Sequence, residues 1–163
     1  MQPDCITISL GLPEFQVLWV RESDSLVQIK VVRRNEFALC LECGKVTQHF
    51  HDERMDDVWD VPILGKGVKL LVMKRRWWCD TPGCEQITPF TESFDSLDVG
   101  QHRTHRLNAY IYRLTKRMSN TEVVKELAHY HIPISDCTVG RIQRAFAQQE
   151  DVILWRTSFT LSP

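Results

Sequence analysis

Two runs dense in β-branched and aromatic residues, Phe15-Gln-Val-Leu-Trp-Val20 and Leu26-Val-Gln-Ile-Lys-Val-Val32, flank the polar stretch Arg21-Glu-Ser-Asp-Ser25. That pattern predicts a β-hairpin. Val46 to His51 reads as a further strand. Val58-Trp-Asp-Val61 and Val68-Lys-Leu-Leu-Val-Met73 follow, joined through Pro62-Ile-Leu-Gly-Lys-Gly67. Its proline and glycines predict a turn-rich link. The last strand is expected to run on through Lys74-Arg-Arg-Trp-Trp78. From His102 onward the period changes from two to that of a helix. Leu107, Ile111, Leu114 and Met118 form one apolar stripe. Ser119-Asn-Thr-Glu122 is a capping box that opens a second helix, expected to bury Val123, Val124, Leu127 and Ala128. His131-Ile-Pro133 ends it, because proline cannot continue a helix. Ser135 caps a third helix through about Gln148. A plain bundle or a helix-turn-helix fits these three, the link before the last being longer than in the tightest form of that motif.

The length of 163 residues allows one domain or two small ones, and an apolar share of 43% suits a folded protein. No apolar run approaches the ~20 residues of a membrane span. The net charge of −1 names no partner, but its distribution is uneven. Residues 1–65 hold 6 basic and 11 acidic groups; residues 66–117 hold 10 and 5. An electropositive middle suggests a polyanionic partner.

Four of the six cysteines fall in two tight pairs, Cys40-Leu-Glu-Cys43-Gly44 and Cys79-Asp-Thr-Pro-Gly-Cys84. Two short loops that each aim two sulfurs at one point can build the tetrahedral thiolate cage of a structural zinc ion. Gly44 lets the first loop turn back toward the thiolates, and Pro82-Gly83 turns the second. Two other readings stay open at this level. Disulfides are one, although Met1 to Phe15 show no secretory signal and a reducing compartment disfavours them. A centre built from Cys40, Cys43, His49 and His51 is the other, at the cost of stranding Cys79 and Cys84. Cys5 and Cys137 have no paired neighbour and read as small buried or indifferent thiols.

In the third helix Val139, Ile142 and Phe146 share one face, while Arg141, Arg144 and Gln148 lie nearly opposite, with Thr138 at the edge of that polar face. An apolar back and a front of long donors is the layout of a helix that reads base edges. In the first helix Arg106, Arg113 and Arg117 fall along one line with Lys116 nearby, which suits phosphate contacts. His102 and His105, a turn apart there, read as surface residues. Lys74, Arg75 and Arg76 beside Trp77 and Trp78 form a second basic cluster, able to hold single strands by charge and stacking. Adjacent strand residues point to opposite faces, so one of the two tryptophans belongs to the core. Arg75 or Arg76 could instead offset the charge of a four-thiolate centre. The acidic group Glu53, Asp56, Asp57 and Asp60 has no partner histidine or nucleophile and reads as a turn and strand edge. Zinc with four cysteine ligands keeps no open position, so the expected metal is structural and no catalytic residue is assigned.

Together these motifs resemble the N-terminal half of the ISL-three family of insertion-sequence transposases. The resemblance begins at Leu10-Gly-Leu-Pro13 with Val17 and Val20. It continues in Cys40-Leu-Glu-Cys43-Gly44, Val58-Trp-Asp-Val-Pro62, Arg75-Arg-Trp-Trp-Cys79, Cys84 and Pro89-Phe-Thr-Glu92. It implies that Cys40, Cys43, Cys79 and Cys84 are zinc ligands and that Ser135 to Ala147 is the second DNA-binding helix. It also implies an RNase-H-like catalytic domain, which would begin about where the chain stops at Pro163. The expected fold is therefore α+β. A zinc-stapled, zinc-ribbon-like β-domain over 1–98 precedes a three-helix helix-turn-helix domain over 99–150, with 151–163 a tail or the start of a missing catalytic domain. The expected role is sequence-specific binding of element ends in double-stranded DNA, without strand transfer by this chain. It could act as a homodimer or within a longer parent transposase, in a bacterial cytoplasm associated with the nucleoid and away from membranes. The alternative is a zinc-stapled protein-interaction or dimerisation module.

Overall fold

A computed structural model describes residues 11–97 and 102–159, with side chains as far as Gln149. Cys5 and Leu10 lie outside the described residues. The chain runs through β1 (Phe15–Glu22), β2 (Leu26–Arg33), β3 (Ala38–Leu39), β4 (Val46–Thr47), β5 (Phe50–Ile63), β6 (Lys66–Trp77) and β7 (Phe90–Thr91). Three helices follow: α1 (His105–Thr115), α2 (Asn120–His129) and α3 (Asp136–Phe159). The architecture is thus α+β, sheet first and helices last. No described helix is long and apolar enough to cross a membrane.

The main sheet has the order β1-β2-β6-β5, with β7 paired to β6; β3 and β4 form a separate two-stranded sheet. The expected β1–β2 hairpin is present, antiparallel, with a bulge between Val17 and Trp19. The strand expected over Val46 to His51 divides into β4 and the start of β5. The turn-rich link expected over 62–67 shrinks to two residues, because Ile63 already pairs with Lys66. Leu64 and Gly65 sit at φ of 50° and 76°. Two left-handed residues match the twist of a tight hairpin, and glycine at the second removes the Cβ penalty there. β6 is antiparallel to β5 on one side and parallel to β2 on the other. The crossover from β2 to β6 contains the β3–β4 hairpin and all of β5.

One face of this sheet forms the first core. Ile29 lies beside Leu70, and Leu70 beside Val58; Val31 lies beside Val72. All five are at most 1% exposed. Burying each such side chain contributes roughly 1.5–3 kcal/mol. Leu12, Phe94 and Leu97 close the layer, with the Phe15 and Phe94 rings stacked at 5.2 Å. Behind β7, the Glu92 carboxylate is fully buried and accepts from the Arg75 backbone N–H at 2.9 Å. Burial pushes its pKa up against the pull of Arg75 and Arg33.

The helices enclose a second core of Leu107, Ile111, Val123, Leu127, Ile132 and Val139. Tyr112 and Phe146 stack at 5.1 Å across it. The capping box at Ser119 and Glu122 is present. The Ser135 hydroxyl accepts from Thr138 N–H at 3.3 Å at the start of α3. Three expectations need correction. His102 precedes α1, whose N-cap is Thr104, so His102 and His105 do not share the helix. Ala128 is exposed, because the buried stripe of α2 runs through Val123 and Leu127 alone. α3, expected to end at about Gln148, continues to Phe159.

The two regions are joined along the outer edge of β5. Trp59 N–H donates to the His102 carbonyl at 2.8 Å, and Thr104 N–H to the Trp59 carbonyl at 3.0 Å. Asp60, fully buried, accepts from the Thr104 hydroxyl and from Arg106 Nε, both at 2.7 Å, and from Arg106 Nη2. Trp59 and Val61 pack on the helical core. Gly67 completes the seat: a Cβ there would stand 2.1 Å from the Tyr130 carbonyl oxygen. Removing one partner of a buried ion pair leaves the other charge uncompensated. Arg106→Ala should therefore cost about 3 kcal/mol of global stability, measured by denaturant unfolding of the zinc-loaded protein. A loss below about 0.5 kcal/mol, the scatter of ordinary surface changes, would show that the Asp60 clamp does not join the two regions.

Candidate metal centre

Two backbone turns deliver the sulfurs. The first is the tip of the β3–β4 hairpin, where Gly44 at φ 67° lets its N–H donate to the Cys40 carbonyl at 2.9 Å. The Cys40 N–H then donates to the Lys45 carbonyl, also at 2.9 Å. The second turn follows β6: Cys84 N–H donates to the Thr81 carbonyl at 3.1 Å, and Gly83 sits at φ 77°. The turns are brought together because the hairpin is tied to the end of β6. Trp78 N–H donates to the His49 carbonyl at 2.9 Å, and the Thr47 hydroxyl to the Trp78 carbonyl at 2.6 Å. Ala38, Cys40, Trp77 and Phe90 form a small core under the centre.

The sulfurs of Cys40, Cys43, Cys79 and Cys84 all lie within 4.8 Å of one another. Cys40 and Cys84, and likewise Cys43 and Cys79, are 3.7 Å apart. A tetrahedron with zinc–sulfur bonds of about 2.3 Å has edges of about 3.8 Å. A disulfide needs about 2.05 Å. The donor set therefore fits a four-coordinate zinc ion and excludes bridges among these four. Cys40 is buried and the other three are half-buried.

Hydrogen bonds already bias Cys43 and Cys79 toward thiolates. The Lys45 N–H, followed by the Thr81 hydroxyl, pulls Cys43 down to about 6. The Thr81 N–H, with its hydroxyl, lowers Cys79. The Gln86 N–H also pulls on Cys84, but burial and the three neighbouring sulfurs outweigh it and push that thiol up to about 12. Zinc displaces the remaining thiol protons and binds thiolates. With four protein sulfurs the ion has no open position, so it is a structural zinc.

The histidine alternative does not hold. His49 Nδ1 is bonded to Asp80 at 2.7 Å, and His51 Nδ1 accepts from the Trp78 indole at 3.2 Å. Neither joins the sulfur group. The charge expected to offset the thiolates is engaged elsewhere too. Arg75 Nε lies 3.7 Å from Glu92, and Arg76 lies 3.4 Å from Asp52. Lys74, 8% exposed, is bound to Asp56 at 2.8 Å. The basic cluster of β6 thus serves the sheet through pairs that the sequence does not reveal, since their partners lie across strands. Trp77 is core and Trp78 is half-buried, as strand alternation requires. Glu53, Asp56, Asp57 and Asp60 lie on the edge strand β5, not in a turn, and Asp57 binds Lys69 at 3.1 Å.

Among the residues expected to meet DNA, Arg106 is held by Asp60. Arg113, Lys116 and Arg117 are exposed around the C-terminal end of α1. The Lys116 ammonium lies 4.5 Å from the centre of the Tyr112 ring. Arg141, Arg144 and Gln148 are exposed on α3, opposite the buried Val139 and Ile142. Thr138 is half-buried, with its hydroxyl 2.9 Å from that of Ser135. Sequence reasoning missed the clamp of Asp60 with Thr104 and Arg106. Asp60 looked like one more member of an acidic stretch; the one available signal was its place between the apolar Trp59 and Val61. Cys137 is exposed, which fits the indifferent-thiol alternative and not the buried one.

Purified protein should carry one zinc per chain by elemental analysis. Cys43→Ser should lose the metal and loosen the β3–β4 hairpin, while Cys137→Ser keeps full occupancy. Full zinc occupancy in a variant lacking both Cys79 and Cys84 would overturn the four-sulfur assignment.

Comparison with known proteins bears on the same segment. Residues 36–84 match the zinc-finger of transposase IS204/IS1001/IS1096/IS1165. Against curated proteins and solved structures the chain shows no match. The matched segment starts just before β3 and ends on the fourth ligand, Cys84. Residues 36–84 are therefore similar to the zinc ribbon of an IS204/ISL3-type transposase, and the four sulfurs converging there fit the zinc of such a segment.

Proposed function

We propose that this chain binds duplex DNA at the ends of a mobile element, and that it does so without cutting or joining strands itself. The observation that carries the reading is the exposed Arg141, Arg144 and Gln148 front of α3, backed by the buried Val139 and Ile142, in a chain with a transposase zinc ribbon. Arg144 has no carboxylate partner among the described residues, and neither have Arg113 and Arg117. In this reading α2 and α3 act as a helix-turn-helix with an extended link over 130–135. Ile132, 1% exposed, anchors that link in the core. α3 presents arginines to base edges, where a guanidinium can pair bidentately with guanine. Arg113, Lys116 and Arg117 hold the backbone. The zinc ribbon and sheet are the rigid mount.

Arg141→Ala or Arg144→Ala should cost ~1–3 kcal/mol of binding and relax preference at one base position. Arg113→Ala or Arg117→Ala should weaken all sequences alike and flatten the salt dependence by about one unit each. Duplexes selected from a random pool, titrated at several salt concentrations, provide the measurement. Incubated with magnesium, the same duplexes should stay intact. Parent-like binding by both α3 variants sinks the reader assignment. Cleavage that Asp57→Ala abolishes sinks the non-catalytic one.

A second reading, a protein contact through the zinc hairpin, has one observation in its favour. Leu39 and Val46 face each other across the hairpin, 57% and 59% exposed, with Leu41 at 59% on the tip. Salt-independent behaviour toward DNA, together with self-association that Leu39→Ser abolishes, would favour it.

A further inference from the structure

The two faces of the main sheet differ in chemistry. One is the apolar core. On the other, the cross-strand register sets Trp19 beside Lys30 and Lys30 beside Leu71. In the next row Val32 lies beside Met73, and Met73 beside Met55. Met55 is 55% exposed, and the rest of these side chains are half-buried. A solvated sheet face normally alternates to polar residues; this one carries an indole, a leucine and two methionines. The helices sit over the opposite end, at Gly67 and Trp59.

The cations of this face are arranged unusually. The Arg21 guanidinium lies 4.6 Å over the Trp19 ring, and the Lys69 ammonium 4.7 Å over Trp59. Lys69 also binds Asp57. Arg21 has no carboxylate partner among the described residues, and the Lys30 ammonium has neither ion pair nor hydrogen bond there. An unpaired ammonium thus stands mid-sheet, between an indole and a leucine.

We propose that this face holds an unpaired nucleic-acid strand, with bases on Trp19, Leu71 and Met73 and phosphates on Lys30 and Arg21. Each part of the surface meets a part of that ligand. Unstacked bases expose flat π-faces that an indole and soft thioethers can cover, whereas a duplex hides them. Phosphates supply the anions that Lys30 and Arg21 lack. An aromatic beside free cations on an open sheet is sequence-tolerant, because every base has a π-face. The run Lys74 to Trp78 was expected to offer this chemistry, but its cations are locked in ion pairs. The face around Trp19 offers it with cations left over. The proposal rests on reading the chain as a DNA-binding region, and adds a second surface for a different form of the polymer.

The test uses the full zinc-loaded chain and fluorescein-labelled oligodeoxythymidylate of about 12 nucleotides, within the usual span of such sites. The parent should bind it with quenching of indole fluorescence, more tightly at low salt. Trp19→Ala should weaken binding about tenfold, and Trp19→Phe should restore most of it. Lys30→Gln should weaken binding and lower the salt slope by about 0.7. Zinc content and thermal unfolding of these variants should match the parent, and their duplex affinity should not change. Absence of oligonucleotide binding overturns the proposal, as does unchanged affinity in Trp19→Ala and Lys30→Gln. Loss of both oligonucleotide and duplex binding in Arg141→Ala also overturns it, by showing one shared site. Loss of duplex binding alone in Arg141→Ala, with oligonucleotide binding kept, supports two separate surfaces. Retained duplex binding in both Arg141→Ala and Arg144→Ala, beside weakened oligonucleotide binding in Trp19→Ala, would refute the α3 reading and leave this proposal standing.

Discussion

Strand β6 is hydrogen-bonded along both edges, to β2 in parallel and to β5 antiparallel, and the rest of the molecule hangs on that pairing. Its alternate residues Val68, Leu70 and Val72 are the centre of the first core, each fully buried. A one-residue slip would turn them outward and bring Lys69 and Leu71 into the core, so the register is strongly specified. Both ends of the strand then act at a distance. Gly67 at the start leaves room for the Tyr130 carbonyl and so seats the helices. Trp77 and Trp78 at the other end carry the chain to Cys79; Trp77 packs on Ala38 and Cys40, and the Trp78 carbonyl accepts from Thr47 of the hairpin that holds Cys40 and Cys43.

The zinc centre and the Asp60 clamp are two answers to one problem. Neither region has a large interior, and small cores need additional ties. At the distal end the tie is four thiolates converging from two loops, with backbone and hydroxyl donors from Lys45 and Thr81 aimed at the sulfurs. At the helical end it is a buried carboxylate satisfied by Thr104 and Arg106. A buried ion pair contributes little net stability relative to a well-packed apolar pair, but its geometry is strict. It sets where α1 leaves the sheet, and hence how α3 is presented.

Basic residues divide by what the fold asks of them. Lys74, Arg75, Arg76 and Arg106 neutralise carboxylates of their own chain. Arg113, Arg141 and Arg144 stand exposed on helices and Arg117 just past the end of α1, while Lys30 stands half-buried between apolar neighbours on the sheet. Charge counted along the chain cannot separate these groups, because a cation's availability depends on the carboxylate across the strand. The positive balance of residues 66–117 therefore overstates the unpaired cations there, since Lys69, Lys74, Arg75, Arg76 and Arg106 are bound to carboxylates of the same chain.

Periodicity and cap residues were sufficient for the longer strands and the three helices, but not for the two-residue strands β3, β4 and β7. The alternation in 15–33 implied a hairpin, Ser119 with Glu122 the start of α2, and paired cysteines at short spacing a metal centre, because each depends on residues close together in sequence. The Val139, Ile142 and Phe146 stripe likewise separated the back of α3 from its front. The parallel pairing of β2 with β6, the two-residue turn at Leu64 and Gly65, the Arg106–Asp60 clamp and the fate of Lys74 to Arg76 were settled by tertiary structure. Each depends on which strands lie side by side, and pairing between distant strands leaves no periodic mark in either one. The same holds for Trp19, Lys30 and Leu71: the sequence keeps them far apart, and only the register of three strands makes them neighbours.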